Sequence, residues 1–165
     1  MDFERDLATI ARQEAALVLK QFDTDIAWAL GSHLRALAKA RNTPGAMDVR
    51  RFGHVLFYST LPGTTPDNSE WIRRKSNVVQ RLLRSSYAVG LKLQLTGQTL
   101  ASKYALSEAD YACHGGCFPL SVEGSGIIGS VAFSGLPQRE DHELVVQALC
   151  EFTSADYKAL ALDPQ

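Results

Sequence analysis

The sequence is poor in cysteine, with only three in 165 residues: Cys113, Cys117 and Cys150. An odd and sparse set of thiols does not make a disulfide framework, and it favours a reducing compartment. No run of about 18 uncharged apolar residues is present, which argues against a membrane span. The first twenty residues carry four acidic side chains and do not have the pattern of a secretory signal. We therefore expect a cytoplasmic protein that does not insert into membranes.

An excess of one charge is also missing. Lys and Arg number 17, Asp and Glu number 18, and the net charge is -1. This balance gives no general attraction to nucleic acid or to an anionic membrane surface, so neither is predicted as a partner. The composition, 45% hydrophobic and 21% charged, is typical of a globular protein. The length fits one domain, and we predict a single domain over residues 1–165.

Apolar residues at helical spacing predict four helices. The first covers residues 3 to about 21, the second 24 to about 41, the third 67 to about 87, and the last begins near Pro137. The third is opened by Asp67 and Glu70 at the spacing of a capping box. Residues 89–106 mix alternating apolar residues with glycine, and their structure is left open.

Shorter runs predict strands. They cover residues 46–50, 54–58, 118–123 and 127–134, with a further short strand at 111–113. The first two are joined at Arg51-Phe-Gly and the next pair at Gly124-Ser-Gly, so each pair is predicted to form a hairpin.

Two charged residues fall on apolar helix faces. Lys75 lies in the middle of the apolar face of the third helix, and Glu14 lies on the apolar stripe of the first. An unpaired buried ammonium is costly, so Lys75 demands a carboxylate, carbonyl groups or a bound anion. A salt bridge is the expected answer, with Glu14 as a candidate partner and a ligand as the alternative.

Two helix surfaces are candidates for protein contacts. Trp28 projects from the side of the second helix that also carries Ser32, Arg35 and Lys39, and either the first helix or a neighbouring subunit is expected to cover it. The outer face of the third helix is rich in arginine, which is more typical of a solvated surface than of a recognition patch.

The stretch Cys113-His114-Gly-Gly-Cys117 permits three chemical interpretations. A metal site would need His142 or Cys150 to complete the ligand set, and the spacing does not favour it. A nucleophile would pair Cys117 with His114 or His142, but no motif supplies an orienting group. The alternative is that the cysteines are small buried hydrophobic residues.

The third interpretation concerns the glycines. Gly115, Gly116 and Gly135 would bring bare backbone close to a ligand beside the start of the last helix, a corner that suits a carboxylate or phosphate with Lys75 as counter-charge. Glu140 and Asp141 already complement that helix end, and tight turns need glycine for steric reasons. The structural use of the glycines is therefore the stronger alternative.

Four segments carry a resemblance to a known family. They are Pro62-Gly-Thr-Thr-Pro-Asp-Asn-Ser-Glu-Trp-Ile-Arg-Arg-Lys, Ser85-Ser-Tyr, Tyr111-Ala-Cys-His-Gly-Gly-Cys-Phe-Pro-Leu, and Ser134-Gly-Leu-Pro-Gln-Arg-Glu-Asp-His. On these segments the sequence resembles the haem-degrading-domain family of HbpS-like and GlcG-like proteins, in particular its cytoplasmic branch. The resemblance implies an α+β, profilin-like fold in which an antiparallel sheet of about five strands lies between helices, in three layers. It also implies a homo-oligomer built from dimers.

The function expected from residues and resemblance together is that of a binding protein for a small anionic ligand or haem. The resemblance makes haem a candidate cofactor because some relatives bind it and are implicated in its breakdown or in redox sensing, while others have no assigned activity. The candidate ligand-binding residues are Lys75, His114, Gly115, Gly116, Ser134, Gly135, Gln138 and His142. No metal site and no catalytic residue is predicted. The alternatives are an enzyme that degrades haem or uses His114 and His142 as acid and base, and a protein-interaction module.

Overall fold

Five strands form one mixed sheet in the computed structural model, which describes residues 2–164. The strands are β1 Val18–Leu19, β2 Ala46–Arg51, β3 His54–Thr60, β4 Cys117–Val122 and β5 Gly126–Ser134. Their spatial order is β1-β4-β5-β2-β3, and every neighbouring pair is antiparallel except β1 and β4. The α+β class, the sheet of about five strands, four of the individually predicted strands and both hairpins are confirmed. The sheet departs from the expected antiparallel arrangement only at its edge, where the two-residue β1 joins β4 in parallel.

The helices are α1 Phe3–Ala16, α2 Thr24–Ala40, α3 Pro66–Leu82, α4 Ser86–Leu95, α5 Leu100–Tyr104, α6 Gln138–Thr153 and α7 Tyr157–Leu160. None of the helices within the described residues is long and apolar enough to cross a membrane. The segment left open in the sequence, 89–106, is the remainder of α4 followed by α5, and residues 111–113 are not a strand.

The predicted third helix is in fact two helices. Leu83 takes a left-handed conformation with φ of 53° and ends α3, while the Ser85 hydroxyl accepts the N–H of Ala88 and begins α4. The start of α3 also differs from the prediction. Its capping box is formed by Thr65 and Asn68, whereas Asp67 accepts the indole N–H of Trp71.

Alternate residues of the strands build separate cores on the two faces of the sheet. Met47, Phe118 and Phe133 belong to the large core that includes α2 and α6. Their sequence neighbours Ala46, Cys117 and Ala132 pack with Ile72 and Val79 of α3. This is the side-chain alternation of a β-strand, and it places helices on both faces, giving the three layers expected. It also brings α3, the end of β5 and the start of α6 together, which is where the candidate site lies.

Candidate functional site

Lys75 points from α3 into the protein and is paired with Asp141 of α6. The ammonium Nζ lies 2.8 Å from the Asp141 carboxylate Oδ2, and each residue is only 2% exposed. Lys75 also lies 3.4 Å from the carbonyl oxygen of Phe133 and 3.5 Å from the hydroxyl of Ser134. The salt bridge expected for Lys75 is therefore present.

The prediction that Glu14 is the partner of Lys75 is wrong. Its carboxylate lies 2.5 Å from Arg84 Nε and accepts the backbone N–H of Ser85 at 2.7 Å. Glu14 thus ties α1 to the start of α4. Helical periodicity placed both charged residues on inward faces, but the choice of partner depends on tertiary packing that it does not encode.

Asp141 is held on both of its oxygens. While Oδ2 faces Lys75, Oδ1 accepts the backbone N–H groups of Gly135 and Leu136 at 3.1 and 2.8 Å. Burial raises the pKa of the Asp141 carboxyl to about 6, although Lys75 and these two amides act in the opposite direction. The positive groups at this corner are consequently already complemented by a carboxylate of the protein itself at neutral pH.

A cleft of about 290 Å³ opens beside this ion pair. Its walls come from the first turns of α3, from His114, and from the segment that links β5 to α6. The lining residues are Asp67, Asn68, Trp71, Lys75, His114, Ser134, Gly135, Leu136, Gln138 and Asp141. Ligand pockets usually have volumes of about 300–1,000 Å³, so this one suits a small ligand or part of a larger one.

His114 lies exposed at this cleft, with its ring edge-on to that of Trp71. The ring centroids are 4.9 Å apart at an interplanar angle of 78°, and the guanidinium of Arg74 lies 4.2 Å from the centroid of the Trp71 ring. The pKa of His114 is lowered by partial desolvation and then by the positive charges of Lys75 and Arg74. His114 is therefore a neutral imidazole at pH 7, with a nitrogen lone pair available to a metal or a proton donor.

The glycines next to His114 approach protein atoms rather than empty space. A Cβ on Gly115 would lie 1.9 Å from the carbonyl oxygen of Gln138. A Cβ on Gly116, whose φ is +111°, would lie 2.4 Å from the carbonyl oxygen of Phe133 and 2.9 Å from Lys75 Nζ. These contacts explain the need for glycine, and of the three predicted glycines only Gly135 lines the cleft.

His142 is separated from the other candidates. It is fully buried between the rings of Tyr87 and Phe118, and its Nε2 lies 2.8 Å from Oε1 of Gln13. Burial, assisted by the charge of Arg139, lowers the pKa of His142 to about 3. The structure thus brings together Lys75, His114, Ser134, Gly135 and Gln138, but it places His142 in the packing behind them.

The cysteines lack the features of nucleophiles. Cys117 is completely buried, and desolvation raises its pKa to about 12, so it carries a thiol at neutral pH. Cys150 is buried in the large core, where its pKa is raised to about 11 by desolvation. Across residues 2–164, no group of three or more His, Cys, Asp and Glu side chains is placed to hold a metal ion. The cysteine and histidine pair considered above is therefore not supported.

Sequence reasoning missed five of the residues that line the cleft: Asp67, Asn68, Trp71, Leu136 and Asp141. Asp67 and Trp71 precede Lys75 at intervals of four residues, which places all three along one side of α3. That spacing was a signal available in the sequence. Asp141 had been assigned to the helix dipole alone, since nothing local indicated that it would receive a charge from 66 residues away.

Comparison with known proteins identifies the relatives of this chain. The family model described as haem degrading protein HbpS-like matches residues 22–150. A UPF0303 protein of Paraburkholderia phytofirmans is 59% identical over 162 residues, which is 98% of each chain. One from Acidobacterium capsulatum is 54% identical over 162 residues with the same coverage.

Solved structures show the same fold. The Ybr137w protein is 30% identical, with a TM-score of 0.84 over 90% of this chain and 87% of that chain. A PduOC:heme complex is 16% identical, with a TM-score of 0.68 over 78% of this chain and 93% of that chain. At that identity the second likeness concerns the fold alone. The resemblance drawn from the sequence motifs is confirmed, and the chain belongs to the HbpS-like family.

Proposed function

We propose that this protein binds a small molecule at the cleft beside His114, and that the ligand is haem held through its iron. The observation that carries the proposal is an exposed imidazole, at the cleft, whose pKa is lowered so that the ring is neutral at pH 7. A neutral histidine nitrogen is the common protein ligand of haem iron. The family description and the haem-bound fold relative make haem the first ligand to test.

The other groups at the cleft fit part of this ligand. Trp71 offers an aromatic ring next to the imidazole, and Arg74 places a cation over that ring, where it would attract a propionate carboxylate. The volume of about 290 Å³ is too small to enclose a complete porphyrin, since it falls below the usual range for drug-sized ligands. His114 would therefore hold the iron at an open site. Bound haem would supply redox chemistry, which the side chains lining the cleft do not supply themselves.

A small anion is the second candidate, and Lys75 among the lining residues favours it. Because Oδ2 of Asp141 already lies 2.8 Å from Nζ of Lys75, an anion would compete with that carboxylate at neutral pH. Below a pH of about 6 the carboxyl takes up a proton, and the site would then accept an anion more readily.

Titration of the purified protein with haemin, followed by absorbance, tests the proposal. We expect a saturable spectral change that His114→Ala weakens by about tenfold or more, because an iron ligand is lost. His54→Ala is the matched control, since His54 is also exposed but lies at the start of β3, and it should leave the titration unchanged.

An unaltered spectrum in the His114→Ala variant would remove this residue as the iron ligand, and a wild-type protein that gives no saturable change would end the haem proposal. Inorganic phosphate in a thermal-shift assay at pH 5.5 and 7.5 tests the second candidate. Stabilisation by phosphate without any response to haemin would favour the small anion.

We also infer that the protein self-associates, as the family resemblance implies. The support is the exposure of Trp28, which is 66% accessible and is not covered by α1. A tryptophan that is so exposed commonly marks a contact surface. Sedimentation of the wild-type protein tests this inference, which is independent of haem binding.

A further inference from the structure

Exposed apolar side chains are concentrated at one edge of the sheet. Of the five large hydrophobic residues that are exposed within the described chain, Trp28, Val55 and Tyr58 lie on α2 or β3. Trp28 meets Phe57 of β3 edge-on, with ring centroids 5.6 Å apart. The exposed indole therefore lies beside β3, the strand at the free edge of the sheet.

The strand at this edge carries a bulge at Leu56, between the partners of Val49 and Arg50, but it lacks the charged residues and prolines that usually protect an edge. β3 is seven residues long, His54–Thr60, and pairs with β2 on one side only. Its sequence contains no Lys, Arg, Asp, Glu or Pro, the residues that normally prevent edge strands from pairing. The opposite edge is β1, which is protected by being only two residues long. The sheet thus has a single edge suited to the addition of another strand.

The outer stripe of α2 is self-complementary. Asp25, Trp28, Ser32, Arg35 and Lys39 follow one another at intervals of three and four residues, so they lie along one side of the helix. Arg35 donates to the hydroxyl of Ser59 at 3.0 Å, which ties this stripe to β3. Asp25 lies seven positions before Ser32, and Lys39 lies seven positions after Ser32. Two antiparallel copies related by an axis through Ser32 would face Asp25 with Lys39, and Trp28 with Arg35.

The same axis suits both the strand and the helix. The midpoint of β3 is Phe57, and a Cβ on Gly31, next to Ser32, would lie 2.2 Å from the Phe57 ring. The midpoint of the helix stripe is therefore stacked on the midpoint of the strand. Since α2 packs over both β2 and β3, and strands are spaced by about 4.8 Å, pairing two β3 strands would place the two α2 axes about 10 Å apart. Packed helices are separated by about 8–10 Å.

We propose that the β3 edge and the outer stripe of α2 form a two-fold interface with a second copy of this chain. Two β3 strands pair antiparallel into a continuous ten-stranded sheet, and two α2 helices pack side by side above the junction. The inference rests on the proposed self-association and adds to it which surface is used and which residues face each other.

Charge reversal tests the pairing of the helices. Asp25→Lys and Lys39→Asp each place like charges opposite one another twice across the axis, so each should weaken dimerisation by at least about tenfold in sedimentation experiments. The double variant restores opposite charges and should recover the dimer. Both changes oppose the helix dipole, and the double variant carries both penalties. A recovery therefore comes from the interface and not from repair of the helix.

Cross-linking tests the position of the axis. At a helix separation of about 10 Å, the two Ser32 Cα atoms would lie about 5 Å apart, within the range that a disulfide can span. Ser32→Cys should therefore form a covalent dimer on oxidation. Ala40→Cys is exposed on the same helix, but it lies eight residues or about 12 Å from the axis and should not cross-link. Wild type reports the background from the half-exposed Cys113.

The results separate the two levels of inference. A wild-type protein that sediments as a monomer overturns both self-association and this interface. An oligomer that is unaffected by the single reversals, or that shows no rescue in the double variant, leaves self-association standing and overturns the α2 and β3 interface. Equal cross-linking at positions 32 and 40 overturns the placement of the axis.

Discussion

At the scale of single residues, the pairing of Lys75 with Asp141 shows how a buried charge is tolerated. Each ion would cost several kcal/mol on its own, because burial removes it from water. Here the ammonium lies 2.8 Å from one carboxylate oxygen, and two backbone N–H groups satisfy the other. The same arrangement fixes the end of β5 to the start of α6, so the pair supports the wall of the cleft.

Replacing only one member of this pair should be strongly destabilising. We expect Lys75→Met to lower the free energy of unfolding by about 3–5 kcal/mol at pH 7.5, because it leaves a buried carboxylate without its counter-charge. Lys75 lowers the pKa of Asp141 in the wild type, so its removal raises that pKa further. Protonation then relieves the penalty, and the loss relative to wild type should shrink as the pH falls from 7.5 to 5. Urea denaturation at both pH values measures it.

The double variant Lys75→Met with Asp141→Leu provides the control. It removes both charges together, so it should lose less stability than Lys75→Met alone, and its loss relative to wild type should vary less with pH. A Lys75→Met loss that stays constant between pH 5 and 7.5 would contradict the view that the unpaired carboxylate is its cause.

At this scale the sequence predicts which way a side chain faces, but not which residue it pairs with. Helical winding showed that Lys75 faces inward, and the position of His114 beside two glycines marked the neighbourhood of the cleft. The pairing with Asp141 could not be foreseen, because it arises from the packing of α3 and α6 across the end of β5. His142 was misplaced for a related reason. Asp141 at the cleft and His142 in the packing behind it are consecutive residues, about 100° apart around α6, and the sequence does not show which side α1 covers.

At the scale of elements, α2 and β3 are fitted together through Gly31. A Cβ on this residue would lie 2.2–2.6 Å from three atoms of the Phe57 ring, which is itself buried in the large core. We expect Gly31→Ala to destabilise the protein by about 1–3 kcal/mol through overpacking, even though alanine is the better helix former by about 1 kcal/mol. Thermal unfolding measures this, and Gly31→Ala combined with Phe57→Leu should recover part of the loss. An increase in stability in the single variant would show that Phe57 moves aside at no cost.

The sequence predicts an element accurately when the contacts that define the element are between residues close together in the chain. Both hairpins and the start of α2 depend on residues close in sequence, and they were predicted within about two residues at most ends. The break between α3 and α4 depends on a left-handed Leu83, a conformation that leucine adopts rarely and that its sequence does not announce. β1 has two residues and exists only because β4 lies beside it. A strand of this kind has no periodicity of its own.

At the scale of the whole molecule, the two ends of the chain are fastened to each other. Arg139 of α6 binds Asp6 of α1 and donates to the carbonyl oxygen of Asp163 at 2.7 Å. α1 in turn covers Tyr87, Ala88 and Leu91 of α4 together with Leu162. The family model matches residues 22–150, so it begins after α1 and ends before Leu162. In this protein α1 nevertheless covers the buried side of α6, where His142 lies next to Gln13 of α1.

Gln13 of α1 is hydrogen-bonded both to α6 and to the C-terminal segment. It is fully buried, its amide N–H donates to the carbonyl oxygen of Leu160 at 2.8 Å, and its Oε1 lies 2.8 Å from His142 Nε2. Because that amide nitrogen faces a carbonyl, the oxygen must accept, and His142 carries its proton on Nε2. Gln13→Ala would leave the buried Nε2–H of His142 and the partly buried carbonyl oxygen of Leu160 without these hydrogen bonds. We expect a loss of about 2–4 kcal/mol in urea denaturation, whereas Gln21→Ala, in an exposed segment, should change stability by at most about 0.5 kcal/mol. Similar losses in the two variants would mean that α1 is held by apolar contacts alone, and that the hydrogen bonds joining the ends of the chain contribute little.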